Sequence, residues 1–160
     1  MDRNMQGFGM MINKLKKNPK RIVFTEGSDP RILEAASRLL ASYFLTPLLV
    51  GNKQEVEDAA EEHGYNIRGA EIIDPDNFES IDEMAEALCE LRKSKNMQMD
   101  EARKVLKHGN YFGTMLVKMG YADCLLGGAT YTTADTVRPA LQLIKTRPGK
   151  NIVSSCFILV

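Results

Sequence analysis

Between Gly127 and Pro139 the chain reads GGATYTTADTVRP, a run of residue types suited to gripping an oxyanion. Gly127 and Gly128 let a backbone approach a ligand closely, because no Cβ stands in the way. Thr130, Thr132 and Thr133 supply hydroxyl donors beside backbone N–H groups at a predicted helix start. Free N–H groups and the helix dipole favour an anion there. Arg138 follows about one and a half turns on, and its planar fork suits bidentate phosphate recognition. Pro139 disfavours helical geometry at Arg138, which predicts a kink or a restart. The segment is neither a G-x-x-x-x-G-K-[ST] loop nor a G-x-G-x-x-G turn. Spacing alone reads it equally as a phosphate cradle and as an ordinary glycine turn.

A second candidate is Thr25-Glu26-Gly27-Ser28-Asp29-Pro30-Arg31. Glu26 could orient a substrate, and the helix start at Pro30 could face an anion; a tight turn with an N-cap is the commoner use of such residues. Arg92 falls four residues after Leu88, on the apolar seam of its helix, where a charge must snorkel, pair or bind. Cys124 reads as a buried small hydrophobe in a strand. His63 and His108 lie near helix ends, where a capping or dipole role is the plain choice. No His/Asp/Glu group has metal-ligand spacing, so no metal is expected.

These groups need a frame. Short apolar runs at 21–26, 46–50, 70–73 and 121–126 read as strands. Between them, apolar residues recur at helical spacing: Ile32, Ala35, Ala36, Leu39 and Leu40; Val56, Ala59 and Ala60; Ile81, Met84, Ala85 and Leu88; then about 100–107, and Phe112, Met115, Leu116 and Met119. A last helix carries Ala134, Val137, Leu141 and Ile144. Strands that are apolar throughout and alternate with helices predict a parallel sheet covered on both faces. Residues 1–20 read as a peripheral helix or arm, basic at Lys14, Lys16, Lys17 and Lys20.

Composition narrows the function classes. With 21 Lys+Arg against 21 Asp+Glu, formal net charge is zero, which argues against nucleic acid or an anionic membrane as partner. Hydrophobic residues at 44% are enough for a packed core. Cys89, Cys124 and Cys156 form no CxxC pair and no disulfide framework, so a reducing compartment fits. The opening residues lack an apolar signal core, and no stretch approaches a membrane span. A cytoplasmic location is the expectation. The final NIVSSCFILV reads as a strand that stops at Val160 and favours a truncated product.

RIVFTEGSDPRILEAA, GNYFGTMLVKMGYADCLLGGATYTTADTVRPALQLIKTRPG and the following SSCF resemble the N-terminal half of the phosphate acetyltransferases, or phosphotransacetylases, within the phosphate acetyl/butyryltransferase family. The resemblance implies reversible acetyl transfer between coenzyme A and phosphate, with acetyl-CoA and phosphate as substrates, no further cofactor, and a homodimer. It implies a three-layer, doubly wound, mostly parallel α/β fold like that of isocitrate and isopropylmalate dehydrogenases, incomplete here. Residues 1–20 would be an arm or helix, 21–150 the first α/β domain, and 151–160 the first strand toward a missing second domain. The family's catalytic Ser-Arg pair and Asp base belong to that absent half, so no catalytic residue is assigned to this chain.

Arg92 and Arg138 match family arginines that bind coenzyme A and phosphate, Thr132 and Thr133 match the hydroxyl pair ahead of the ADTVRP helix, and Gly128 completes the expected substrate-binding set. Three departures stand out: Tyr131 where the family usually has His, Thr25 for Pro, and Cys124 for Gly. The alternative reading is a catalytically dead remnant, or an anion- or CoA-binding module of the same fold. A hydroxy-acid dehydrogenase is disfavoured because no dinucleotide fingerprint appears.

Overall fold

The computed structural model describes residues 3–150 and 152–155. Its elements run α1 (Arg3–Lys17), β1 (Lys20–Phe24), α2 (Pro30–Ser42), β2 (Leu45–Val50), α3 (Lys53–Glu62), β3 (Glu71–Ile73), α4 (Ile81–Leu91), α5 (Met99–Leu106), α6 (Gly109–Lys118), β4 (Cys124–Leu126) and α7 (Thr133–Pro139). The four strands form one sheet in the order β3-β2-β1-β4, and every pair is parallel. Val23 lies level with Leu48 and Leu125, and Phe24 with Leu49 and Leu126.

Neighbouring strand residues point to opposite faces, so each strand feeds two cores. Phe24 and Leu49 pack against Ile32, Leu33 and Ala36 of α2 and Val56 and Ala60 of α3. Val23 and Leu48 pack on the other side against Met84 and Leu88 of α4, Leu106 of α5, and Phe112, Met115 and Leu116 of α6. Both faces are therefore dry, as apolar strands require, and the α/β expectation holds at that level. The chain changes faces after β3, and β4 returns on the far side of β1. Strand order thus reverses between β1 and β4, and open α/β sheets bind ligands outside the carboxyl ends of the strands at such a reversal.

Local signals set the helix ends. Asp29 caps α2 by accepting the Arg31 N–H at 2.9 Å, with Pro30 at the first helical position. Asn52 caps α3 by accepting from Gln54 and Glu55 at 3.0 and 3.3 Å. Gly64, at φ 71°, ends α3 in the left-handed region that glycine enters freely.

The expected kink at Pro139 is a change of helix type. Beyond it, Ala140–Ile144 form a π-helical turn, closed by the Lys145 N–H donating to the Ala140 carbonyl at 3.1 Å. The wider turn delivers Leu143 into the core beside α6. Residues 3–17 are helical, and Lys14, Lys16 and Lys17 lie in the last turn of α1, where they suit the dipole.

Two expectations change. The fourth strand is three residues long rather than 121–126, because Tyr121 instead packs edge-on to Phe78 at 5.5 Å and the Asp123 carboxylate accepts the Arg21 N–H at 2.9 Å. Cys124 is exposed rather than buried, since β4 pairs only with β1 among the described residues. The strand expected at 151–160 lies mostly outside the described residues, and 152–155 carry no regular structure. No described helix is long and apolar enough to cross a membrane.

Candidate functional site

The carboxyl ends of β1 and β4 meet at the strand reversal, and Glu26 fills the space between them. Its Oε2 accepts the N–H groups of Gly128 at 2.9 Å and Ala129 at 3.1 Å. Its Oε1 accepts the N–H of Tyr131 and the hydroxyl of Thr130, both at 2.9 Å, and also the N–H of Thr130. Burial raises the carboxyl pKa, but donors from Thr130, Tyr131 and Ala129 outweigh it and hold the group at about 2. The Gly-rich loop is an anion cradle, as its composition suggested, and the anion it holds is part of the protein.

Close approach explains the glycine at 127. A β-carbon there would stand 2.7 Å from Thr25 Oγ1. Gly109, at the start of α6, meets the same strand end from the other side, where a β-carbon would lie 2.6 Å from the Thr25 carbonyl oxygen. Arg31 ties the loop to α2, donating to the Ala129 carbonyl at 2.6 Å while pairing with Asp29 at 2.7 Å.

The remaining predicted residues separate. Gly128 donates its N–H to Glu26 and has none to spare. Thr132 caps α7: its hydroxyl accepts the Asp135 N–H at 3.2 Å and donates to Asp135 Oδ2 at 2.6 Å. Thr133 follows it, exposed, as the first residue of α7. Arg138 is exposed and overlooks a recess of about 270 Å³ lined by His108, Asn110, Tyr111, Tyr131, Asp135 and its own side chain. It forms no ion pair or hydrogen bond among the described residues, whereas Thr132 and Thr133 do not line that recess. Of Gly128, Thr132, Thr133 and Arg138, which the sequence reading expects to converge, only Arg138 lines this recess.

Arg92 lies elsewhere. Arg103 bonds Asp82 at 2.9 Å and Lys107 bonds Asp76 at 2.6 Å, which fixes the start of α4 at the carboxyl end of the sheet. Arg92 caps the other end of α4, about 15 Å along the axis. Its Nε is buried without a hydrogen-bond partner.

A wider recess of about 620 Å³ opens over the ends of β1, β2 and β3. Glu26, Asp29, Glu55, Asp74 and Asp76 line it, against Lys107. Its acidic lining repels a phosphate, so chemistry outranks size and points to the smaller recess under Arg138. Tyr131 borders both. Burial, then the charges of Glu26 and Asp135, push its phenol pKa up, so it stays a neutral donor. Tyr111 bonds Gln142 at 3.0 Å and anchors the π-helical turn behind Arg138. No group of three His, Cys, Asp or Glu among the described residues could hold a metal ion.

Two residues escaped the sequence reading in these roles. Glu26 was visible as an acid at a strand end, but its donors lie more than a hundred residues away. Asn110 carried no local signal at all.

The family model described as phosphate acetyl/butaryl transferase matches residues 8–160. A phosphate acetyltransferase from Thermoanaerobacterium thermosaccharolyticum is 47% identical over 93% of this chain and 45% of its own length. One from Bacillus subtilis is 44% identical over 95% of the chain and 47% of its own length. Among solved structures, the chain is similar to a phosphotransacetylase from Streptococcus pyogenes, with TM-score 0.86 and 43% identity over 93% of this chain and 45% of the other. The chain spans about half the length of the curated relatives it matches.

Proposed function

The chain belongs to the phosphate acetyl/butaryl transferase family, and from that premise we propose that it is the first α/β domain of a phosphate acetyltransferase. The reaction moves an acetyl group between coenzyme A and inorganic phosphate. In one direction the coenzyme A thiolate attacks the carbonyl carbon of acetyl phosphate, the carbon–oxygen bond to phosphorus breaks, and phosphate leaves with the electron pair. A base must first take the thiol proton, because the thiol is a poor nucleophile. That base and the catalytic Ser-Arg pair belong to the half of the family fold beyond this chain.

This half supplies the phosphate side. The observation that carries the reading is Arg138: a guanidinium without a partner among the described residues, set over a recess beside the strand reversal. The start of α6 opens into the same recess through His108 and Asn110, and its N–H groups add to the favourable field. Cationic donors placed at such a recess stabilise charge on a leaving phosphate. Thr132 and Thr133 act indirectly, by starting the helix that carries Arg138. Arg92 is outside this grip, and its assignment to coenzyme A rests on the family resemblance. We further infer a cytoplasmic homodimer that needs no cofactor beyond its substrates, on a fold like that of isocitrate and isopropylmalate dehydrogenases.

Titration of the chain with inorganic phosphate, followed by NMR, tests the reading. Shifts should gather at His108, Asn110, Tyr131 and Arg138, and Arg138→Ala should abolish them. Shifts centred on the wider acidic recess would overturn it. A thioester-absorbance assay with acetyl phosphate and coenzyme A separates the enzyme from the silent binding module. The chain joined to its family's second half should turn over, and the module would bind without turnover.

A further inference from the structure

Cys89, Met97 and Met99 line one recess of about 330 Å³ where α4 gives way to α5. The thiol sulfur of Cys89 lies 3.8 Å from the thioether sulfur of Met99, the first residue of α5. All three side chains are partly buried and pack against the core under α4, α5 and α6, so the sulfurs are held rather than free in solvent. The backbone between them is fixed as well. A 3₁₀ turn at Lys93–Lys95 is closed by Asn96 in the left-handed region at φ 51°, and the Gln98 side chain donates to the Asn96 carbonyl at 2.9 Å. The ion pair of Arg103 with Asp82, at 2.9 Å, ties α5 to α4 without using a sulfur. The recess shares no lining residue with the two at the carboxyl end of the sheet.

A thiolate and two thioethers are soft ligands and suit Cu(I), whereas carboxylates and carbonyls suit harder ions. Zinc is bound by thiolate, imidazole and carboxylate, a set that leaves thioethers out. Geometry points the same way. Two sulfurs that share one ion at about 2.3 Å, the usual zinc–thiolate length, stand about 3.8–4.0 Å apart at angles between tetrahedral and trigonal. The Cys89–Met99 separation has that spacing. One thiolate neutralises one monovalent ion, which suits a site half out of water. Glu86 and Glu90 also line the recess, and its Lys93 is paired with Glu90 at 3.3 Å. We propose that Cys89, Met97 and Met99 form a three-sulfur site for a monovalent soft metal ion, Cu(I). Binding breaks the Cys89 S–H bond and releases the proton to solvent. The thiolate and the two thioether sulfurs each donate an electron pair, and the oxidation state of the ion is unchanged. The site sits near the end of α4 that points away from the transfer chemistry, and it is independent of the phosphate reading.

Titration of the chain with Ag(I), a redox-inert soft ion, in chloride-free buffer and with isotope-labelled methionine methyls tests it by NMR. A Cys124→Ser, Cys156→Ser background leaves Cys89 as the one thiol. One equivalent of Ag(I) should move the methyl resonances of Met97 and Met99 and leave the other seven of the nine methionines in place. Zn(II) should move neither. In competition with a Cu(I) chelator, Met99→Leu should bind Cu(I) about tenfold or more weakly than its parent, and Cys89→Ser should lose the binding. Met99→Leu nearly conserves volume; if it fails to fold, the methyl shifts in the parent still decide. Absence of Ag(I) binding, or binding that leaves either methyl unmoved, overturns the inference. So do Zn(II) binding that moves the same two methyls and an unchanged Cu(I) affinity in folded Met99→Leu.

Discussion

Gly128 donates its backbone N–H to the carboxylate of Glu26 at 2.9 Å, across 102 residues of chain. With the neighbouring donors, this bond clasps the end of β4 to the end of β1. It satisfies a loop that would otherwise present several N–H groups without acceptors, and it sets where α7 begins.

Replacing Glu26 with Gln keeps the shape but loses the charge and turns one acceptor into a donor facing N–H groups. Hydrogen bonds to charged groups contribute about 1.5–3 kcal/mol each, and they are not additive here because they share one carboxylate. The expected loss is about 3 kcal/mol, read as a lower urea midpoint with an unchanged slope. An unaltered midpoint would mean that the clasp carries no net stability.

The same carboxylate sets an acid limit. Its folded pKa of about 2 lies below its ordinary 4.5. A depressed folded pKa stabilises the fold at pH above the unfolded value, and that stabilisation is lost as pH falls through the folded one. Asp29, held down mainly by its hydrogen bond from Arg31, acts with the same sign. Stability should therefore decline from about pH 4.5 toward pH 2, and Glu26→Gln should flatten much of that decline. Parallel pH profiles of the two proteins would contradict the assignment.

Gly127→Ala drives a β-carbon to 2.7 Å from Thr25 Oγ1. Overpacking of this kind costs about 1–3 kcal/mol. Removing the hydroxyl in the Thr25→Ala background should recover part of the loss, so a double-mutant cycle should show coupling between the two sites. Strict additivity would place the clash elsewhere.

Arg138→Ala should leave unfolding stability within about 0.5 kcal/mol of the parent, because the side chain is exposed and has no partner among the described residues. Phosphate affinity should fall about tenfold or more, as befits loss of a charge-assisted contact. A large change in stability with affinity intact would make it a structural residue.

Much of this architecture was readable from the chain. The apolar strand runs and the turn with an N-cap at residues 25–31 are local signals, and local physics produced what they announced. The Gly127–Gly128 loop reads equally as a phosphate cradle and as a glycine turn, and the structure fills it with the Glu26 carboxylate. What the sequence could not display was the occupant. A carboxylate at position 26 and its donors at 128–131 become neighbours only through the strand order, which periodicity does not encode. Asn110 was hidden for the same reason: which recess it lines is a property of packing. Cys124 misled because an apolar strand looks alike in the middle and at the edge of a sheet.

The strand order also bears on the route to the native state. β1 pairs locally with β2, but its other neighbour arrives only after five helices and two further strands. Contacts of such long sequence separation close late, since loop entropy must be spent before they give anything back. The Glu26 clasp is thus a latch rather than a nucleus. Weakening it should quicken unfolding and leave the refolding rate almost untouched, so the lifetime of the folded chain is governed at this one seam.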